Sequence, residues 1–293
     1  MTRQPTVVLE KLSFLEGPRF RDGRLWLSDF YTHRVLSCLP DGSDLRDEAT
    51  VPTQPSGLGW LPDGRLLIVS MRDQRVLRRE PDGTLVTHAD LAAVARGACN
   101  DMVVDAAGRA YVGCFGFDLM SGAPVEPAPL IRVDPDGAVT VVAEDLRFPN
   151  GATVIGDRLV VAESLGNRIS AFDIAPNGSL GPRRDWARFG DVPASPNAGA
   201  ALGSVAVAPD GICADAEGAV WAADAIGGRA VLVREGGEIV DEVRAGTGVY
   251  ACALGGDDGR TLFLCTAPSF AEHERRDTRE AALLAVRVDV PAS

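Results

Sequence analysis

The chain has 293 residues, 46% hydrophobic and 24% charged, which supplies a packed core and excludes an intrinsically disordered polypeptide. Lysine and arginine total 29 against 41 aspartate and glutamate, a formal charge of −12, so nucleic acid and anionic lipid are not expected partners. Glycine at 32 and proline at 19 favour a fold with many tight turns over a helical bundle.

Residues 1–14 lack the apolar stretch of an export signal, and no run approaches the roughly 18 apolar residues of a membrane span. A cytoplasmic protein outside the membrane is therefore expected, as a monomer or weak homo-oligomer. Cys38, Cys99, Cys114, Cys213, Cys252 and Cys265 form no C-x-x-C pair, so reduced core thiols are expected over a zinc knuckle or redox motif.

From the N-terminus onward one theme recurs, a β-rich run, a turn of the form x-D-G or x-x-G, and another β-rich run. Turns such as Pro40-Asp41-Gly42, Pro62-Asp63-Gly64, Pro135-Asp136-Gly137 and Asn177-Gly178 carry residues that accept the positive φ of a tight reversal. The runs RLWLSD, RLLIVS, RAYVGC, RLVVAE, AVWAAD and TLFLCT begin at Arg24, Arg65, Arg109, Arg158, Ala219 and Thr261, with spacings of 41, 44, 49, 61 and 42 residues. Periods of this size belong to propeller blades, each a four-stranded antiparallel sheet.

The pattern predicts an all-β, six-bladed β-propeller forming one domain over residues 1–293. The segment VVLEKL at 7–12 is expected to close the ring by adding an outer strand to the blade completed by 282–290. The long spacing before the fifth run predicts a loop insertion near 182–206, over one mouth of the channel. A second irregular segment, 115–129, is expected to line the same mouth.

The strand before each aligned run is the innermost, and its entrances read LEGPRF, SGLGW, CNDMVV, PNGATV, PDGICA and VYACAL. The repeat therefore sets Glu16, Ser56, Asn100, Asn150, Asp210 and Tyr250 in one ring around the channel axis. Four of these are carboxylates or carboxamides, oxygen donors that suit a hard or intermediate divalent ion. His33, His88 and His273 share no repeat phase, which argues against a histidine-rich zinc site. Asp210 also sits in turn-forming text, where aspartate ordinarily caps its own backbone. Asp101 points the other way from Asn100 along its strand and is expected as a structural acceptor. Asp29 and Asp224 are expected as strand-end acceptors, with Glu163 in the same phase. Arg19 is a candidate to hold a carboxylate near the mouth.

The ordered set Leu15-Glu16-Gly17-Pro18, Asn100-Asp101, Phe148-Pro149-Asn150-Gly151 and Pro209-Asp210-Gly211 resembles the SMP-30/gluconolactonase/luciferin-regenerating-enzyme family over nearly the full length. The resemblance implies a six-bladed propeller with one catalytic divalent metal held by Glu16, Asn150 and Asp210, with Asn100 as a fourth ligand or a substrate contact. It implies lactone hydrolysis with calcium first among the metals and zinc, manganese or magnesium as alternatives. The sugar-lactonase branch usually carries arginine two residues before the asparagine, where this chain has Ala98. A further acidic residue of that branch is replaced by the segment Cys114-Phe115-Gly116-Phe117-Asp118. The pocket is therefore expected to include Arg19, Phe115, Phe117 and Asp118 and to accept a small molecule less polar than a sugar lactone.

The expected mechanism is metal polarisation of the carbonyl and water attack, with Asp210 as base or ligand and Asn100 orienting the substrate. No G-x-S-x-G elbow is present, so serine hydrolysis is disfavoured. The alternatives are a metal-dependent phosphotriester or aryl-ester hydrolase, a natural-product lyase, and a binding propeller with a structural ion.

Overall fold

The six aligned runs are the second strands of six four-stranded antiparallel sheets in the computed structural model, which describes residues 3–293. Their β-branched and aromatic residues are buried on both faces, as in the segment Leu66–Ser70, because each blade is packed between two others. The outermost strands carry charge on their free face, as in Arg46–Thr50. Between blades the second and inner strands interdigitate; Trp26 of the first blade meets Trp60 of the second edge-on at 5.4 Å. The sixth blade is composite. Its outermost strand, Thr6–Leu12, pairs antiparallel with Ala281–Arg287, so the two ends of the chain share one sheet.

A bulge recurs at one place in every blade. Inner and second strands lose register between Glu16 and Arg19, Pro55 and Leu58, Cys99 and Met102, Pro149 and Ala152, Pro209 and Ile212, and Val249 and Ala251. An extra residue in a strand bends it and re-aims the side chains beside it. Each of the six ring positions lies at or next to its bulge. Close approach of neighbouring inner strands requires glycine just beyond. A Cβ on Gly151 would lie 2.6 Å from the Asp210 carbonyl oxygen, and one on Gly57 2.4 Å from the Met102 nitrogen. The E-G, N-G and D-G pairs thus combine an oxygen donor with the contact that brings the next donor near.

Three blades anchor the mouth of the channel through one device. The carboxylate ending the second strand accepts from backbone N–H groups that lead into the same blade's inner strand. Asp29 accepts from Ser13 N at 3.0 Å and Phe14 N at 3.1 Å, Glu163 from Arg147 N at 2.7 Å, and Asp224 from Ala208 N at 3.1 Å. Glu163 also takes two 2.9 Å bonds from the Arg168 guanidinium and one from Ser170 Oγ. These carboxylates are fully buried and hold turns in place.

The segment expected as an insertion over 182–206 is partly regular. Arg184–Arg188 forms the outer strand of the fourth blade, pairing antiparallel with Arg168–Asp173 and burying Trp186 and Ala187. The irregular stretch follows it and carries a short helix, Ala198–Leu202, capped by Asn197 Oδ1 accepting from Ala200 N at 2.9 Å. It touches the other irregular segment where Val125 N donates to Pro196 O at 2.7 Å. All six cysteines are free thiols, and Cys213 and Cys252 on neighbouring inner strands bring their sulfurs to 3.8 Å.

Candidate functional site

One mouth of the channel opens into a cavity of about 460 Å³, and Glu16, Asn100, Asn150, Asp210 and Tyr250 all line it. The ring inferred from repeat phase is therefore a physical ring at the cavity floor. Ser56, the sixth position, is buried beside it and its hydroxyl donates to Asn100 Oδ1 at 3.5 Å. The Asn150 amide nitrogen donates to Ser164 Oγ at 3.2 Å, and Ser164 Oγ donates to Pro209 O at 2.8 Å. With its nitrogen tied back, Asn150 has its amide oxygen as the free end.

The two carboxylates are electrostatically frustrated. Burial, then the charges of Asp210 and Asp101, push the Glu16 carboxyl well above the usual carboxylate range. Burial, then Asp101, does the same to Asp210. Glu16 accepts from the Gly17 backbone at 3.2 Å, whereas Asp210 Oδ1 is buried with no hydrogen-bond partner. A buried, unpartnered carboxylate oxygen beside a second buried carboxylate is costly as it stands. The two carboxylates and two carboxamides that line this cavity are oxygen donors of the chemistry a divalent cation takes. Among the described residues no group of three or more His, Cys, Asp or Glu side chains is arranged to hold a metal, so any ion here depends on the amide oxygens.

A pH signature follows for the cation-free protein. Below about pH 4 both states carry these protons. Above it the unfolded chain releases them while the folded site retains them, so native stability falls as pH rises toward the raised folded values. The melting temperature of chelator-treated protein is expected to fall more steeply from pH 5 to pH 8 than that of the Glu16→Gln/Asp210→Asn variant. Parallel curves would show that the pair is not frustrated.

Arg19 does not line the cavity. Three residues on from Glu16, the Arg19 guanidinium donates to Asp101 Oδ1 at 2.8 Å and to the Met102 carbonyl. It holds a carboxylate, but on the third blade and away from the pocket. Asp101 is a structural acceptor, bonded also by its own neighbour Met102 N at 2.8 Å. Phe115 and Phe117 line the cavity wall, and Asp118 lies at its exposed rim, accepting from Ser121 N at 3.1 Å. Phe14, Phe30, Tyr31, Phe148 and Phe270, which were not among the expected pocket residues, also line the wall. Two repeat phases mark most of these positions. Residues two before the ring (Phe14, Gln54, Ala98, Phe148) and residues just after the second strand (Phe30, Met71, Phe115, Ser164, Ala225) all face the cavity.

Fold and site together define a propeller with a small-molecule cavity over a ring of oxygen donors. The chain belongs to the SMP-30/Gluconolactonase/LRE-like family, whose profile matches residues 14–268. It is 28% identical over 199 residues to the pentonolactonase XacC of Haloferax volcanii, covering 66% of this chain and 63% of that protein, so the alignment spans about three fifths of the relative's length. In fold it is similar to a luciferin-regenerating enzyme, with TM-score 0.78 and 17% identity over 99% of this chain and 98% of that one. A structure described as the calcium-binding protein regucalcin, from Agrobacterium tumefaciens, gives TM-score 0.78 and 18% identity over 100% and 96%.

Proposed function

We propose that this protein is a divalent-metal-dependent lactonase whose reaction centre is the ring Glu16, Asn100, Asn150 and Asp210. The observation that carries the reading is the buried Asp210 Oδ1 without a partner, at the floor of an open cavity and beside a second buried carboxylate. The family and the pentonolactonase relative support lactone opening as the reaction. The all-oxygen donor set favours calcium, with manganese, magnesium or zinc as substitutes.

Glu16, Asn150 and Asp210 would hold the cation, with Asn100 as fourth donor or substrate contact. When bound, the cation supplies Lewis-acid polarisation of the substrate carbonyl. The chain's own groups do the rest. Ser164 fixes the Asn150 amide so that its oxygen stays directed away from the turn. Asp210 Oδ1, free of protein partners, is the atom available to orient a water or accept its proton. The apolar wall lowers the polarity of the surroundings of the floor, which strengthens charge interactions there. Open space directly over the donors favours a reacting centre over an ion that only braces the channel.

Metal-stripped protein should be inactive on a panel of γ- and δ-lactones, and one divalent cation added back should restore turnover. Hydrolysis that survives exhaustive chelation, or none with any cation on any lactone or ester, would remove this reading.

A further inference from the structure

Six of the ten phenylalanines and two of the three tyrosines in the chain line this one cavity. They form two walls. Phe14, Phe30 and Tyr31 of the first blade join Tyr250 and Phe270 of the sixth, with Phe14 at 5.2 Å from Phe30 and 4.8 Å from Tyr250. The second wall comes from the third and fourth blades, where Phe115 stacks on Phe148 at 4.5 Å and Phe117 lies 6.2 Å from the same ring. In a closed ring of six blades the first faces the fourth and the sixth faces the third. The two walls therefore stand on opposite sides of the oxygen ring.

Several of the polar side chains above the floor are engaged within the protein. Gln54 accepts from Arg72 Nε at 2.9 Å, and Arg72 pairs with Glu272 at 2.7 Å. Gln74 donates to Gly97 O at 2.7 Å, and Ser164 is engaged with Asn150 and Pro209. Ala98 presents a methyl group toward the cavity where a polar side chain would meet a hydroxyl. A polyhydroxylated substrate would have to leave water and find few free donors or acceptors, each unmet hydroxyl costing affinity. An apolar body between two aromatic walls leaves no hydrogen bond unmet on entry.

We infer that the substrate is an apolar lactone, one whose ring is fused to an arene or carries a long alkyl chain, with its carbonyl at the oxygen ring and its apolar part between the aromatic walls. This rests on the lactonase reading above and adds the substrate class to it.

The test compares the metal-loaded protein on dihydrocoumarin, δ-undecalactone and glucono-1,5-lactone. The expected kcat/KM for the apolar pair exceeds that for the sugar lactone by about tenfold or more. Phe115→Ala and Phe270→Ala, one from each wall, are expected to raise KM for dihydrocoumarin about tenfold and to raise KM for glucono-1,5-lactone by a clearly smaller factor. A preference for the sugar lactone, or wall variants that affect both substrates equally, would overturn the substrate class and leave the lactonase reading standing. Should nothing be hydrolysed, calorimetric binding of the same lactones decides between the two ideas. Dihydrocoumarin binding that is weakened in both wall variants would keep the apolar class and remove the hydrolysis. Absence of binding, or tighter binding of the sugar lactone, would overturn the class.

Discussion

Asp210→Ala is expected to lower lactone turnover by at least about 10³-fold while leaving the propeller folded. The two halves of this result have one cause. Asp210 sits at the cavity floor with one carboxylate oxygen unpartnered, so its truncation breaks no contact of that atom with the fold. It also removes one of the negative charges that raise the proton affinity of Glu16. In the absence of metal the variant should therefore melt no lower than wild type at pH 8. With metal present the order should reverse, because binding to the native state alone stabilises wild type in proportion to its affinity. Thermal melts with and without cation, alongside turnover, check both halves. A variant that unfolds without metal would show that Asp210 is structural.

The opposite behaviour is expected at Glu163, one strand end away. Glu163→Ala should destabilise the protein by about 3–5 kcal/mol, because it strands the Arg168 guanidinium and the Arg147 N–H without their acceptor. For a chain of this size that corresponds to a fall in Tm of roughly 5–10 °C. The loss should be partly recovered in Glu163→Ala/Arg168→Met, where the buried Arg168 charge is removed with its partner and only the more exposed Arg183 loses a contact. Asn150 lies just beyond this anchor, paired through Pro149 with Glu163 in the sheet register, so activity should fall with a raised KM for metal. A cost below about 1 kcal/mol would mean that the carboxylate is not an anchor of the turn. Asp210 and Glu163 are both buried acids near one channel mouth, and their partners alone separate a site residue from a supporting one.

The blade count and the ring positions were legible because they depend on period. Six second-strand runs recur at blade spacing, and whatever leads the preceding strand must sit at a common height around the axis. Arg19 was expected at the pocket because its carboxylate partner, Asp101, belongs to another blade and comes within reach only when the inner strands are assembled. The outer strand Arg184–Arg188 was hidden within text rich in arginine and aspartate, where an edge strand needs little apolar content. The aromatic walls were only half visible. Phe115 and Phe117 stood out as neighbours, whereas Phe14 meets Tyr250, and Phe148 meets Phe115, only when their blades come together in the ring. Their repeat phase was present in the sequence, two residues before the ring for Phe14 and Phe148 and on the ring itself for Tyr250.

The central claim, that the four oxygen donors form one cation site, is tested most directly by calorimetric titration of Ca²⁺ or Mn²⁺ into chelator-stripped protein. One equivalent should bind to wild type, and none to Asp210→Ala under the same conditions. Wild type that takes up no divalent cation, or an Asp210→Ala variant that binds it unchanged, would contradict the account.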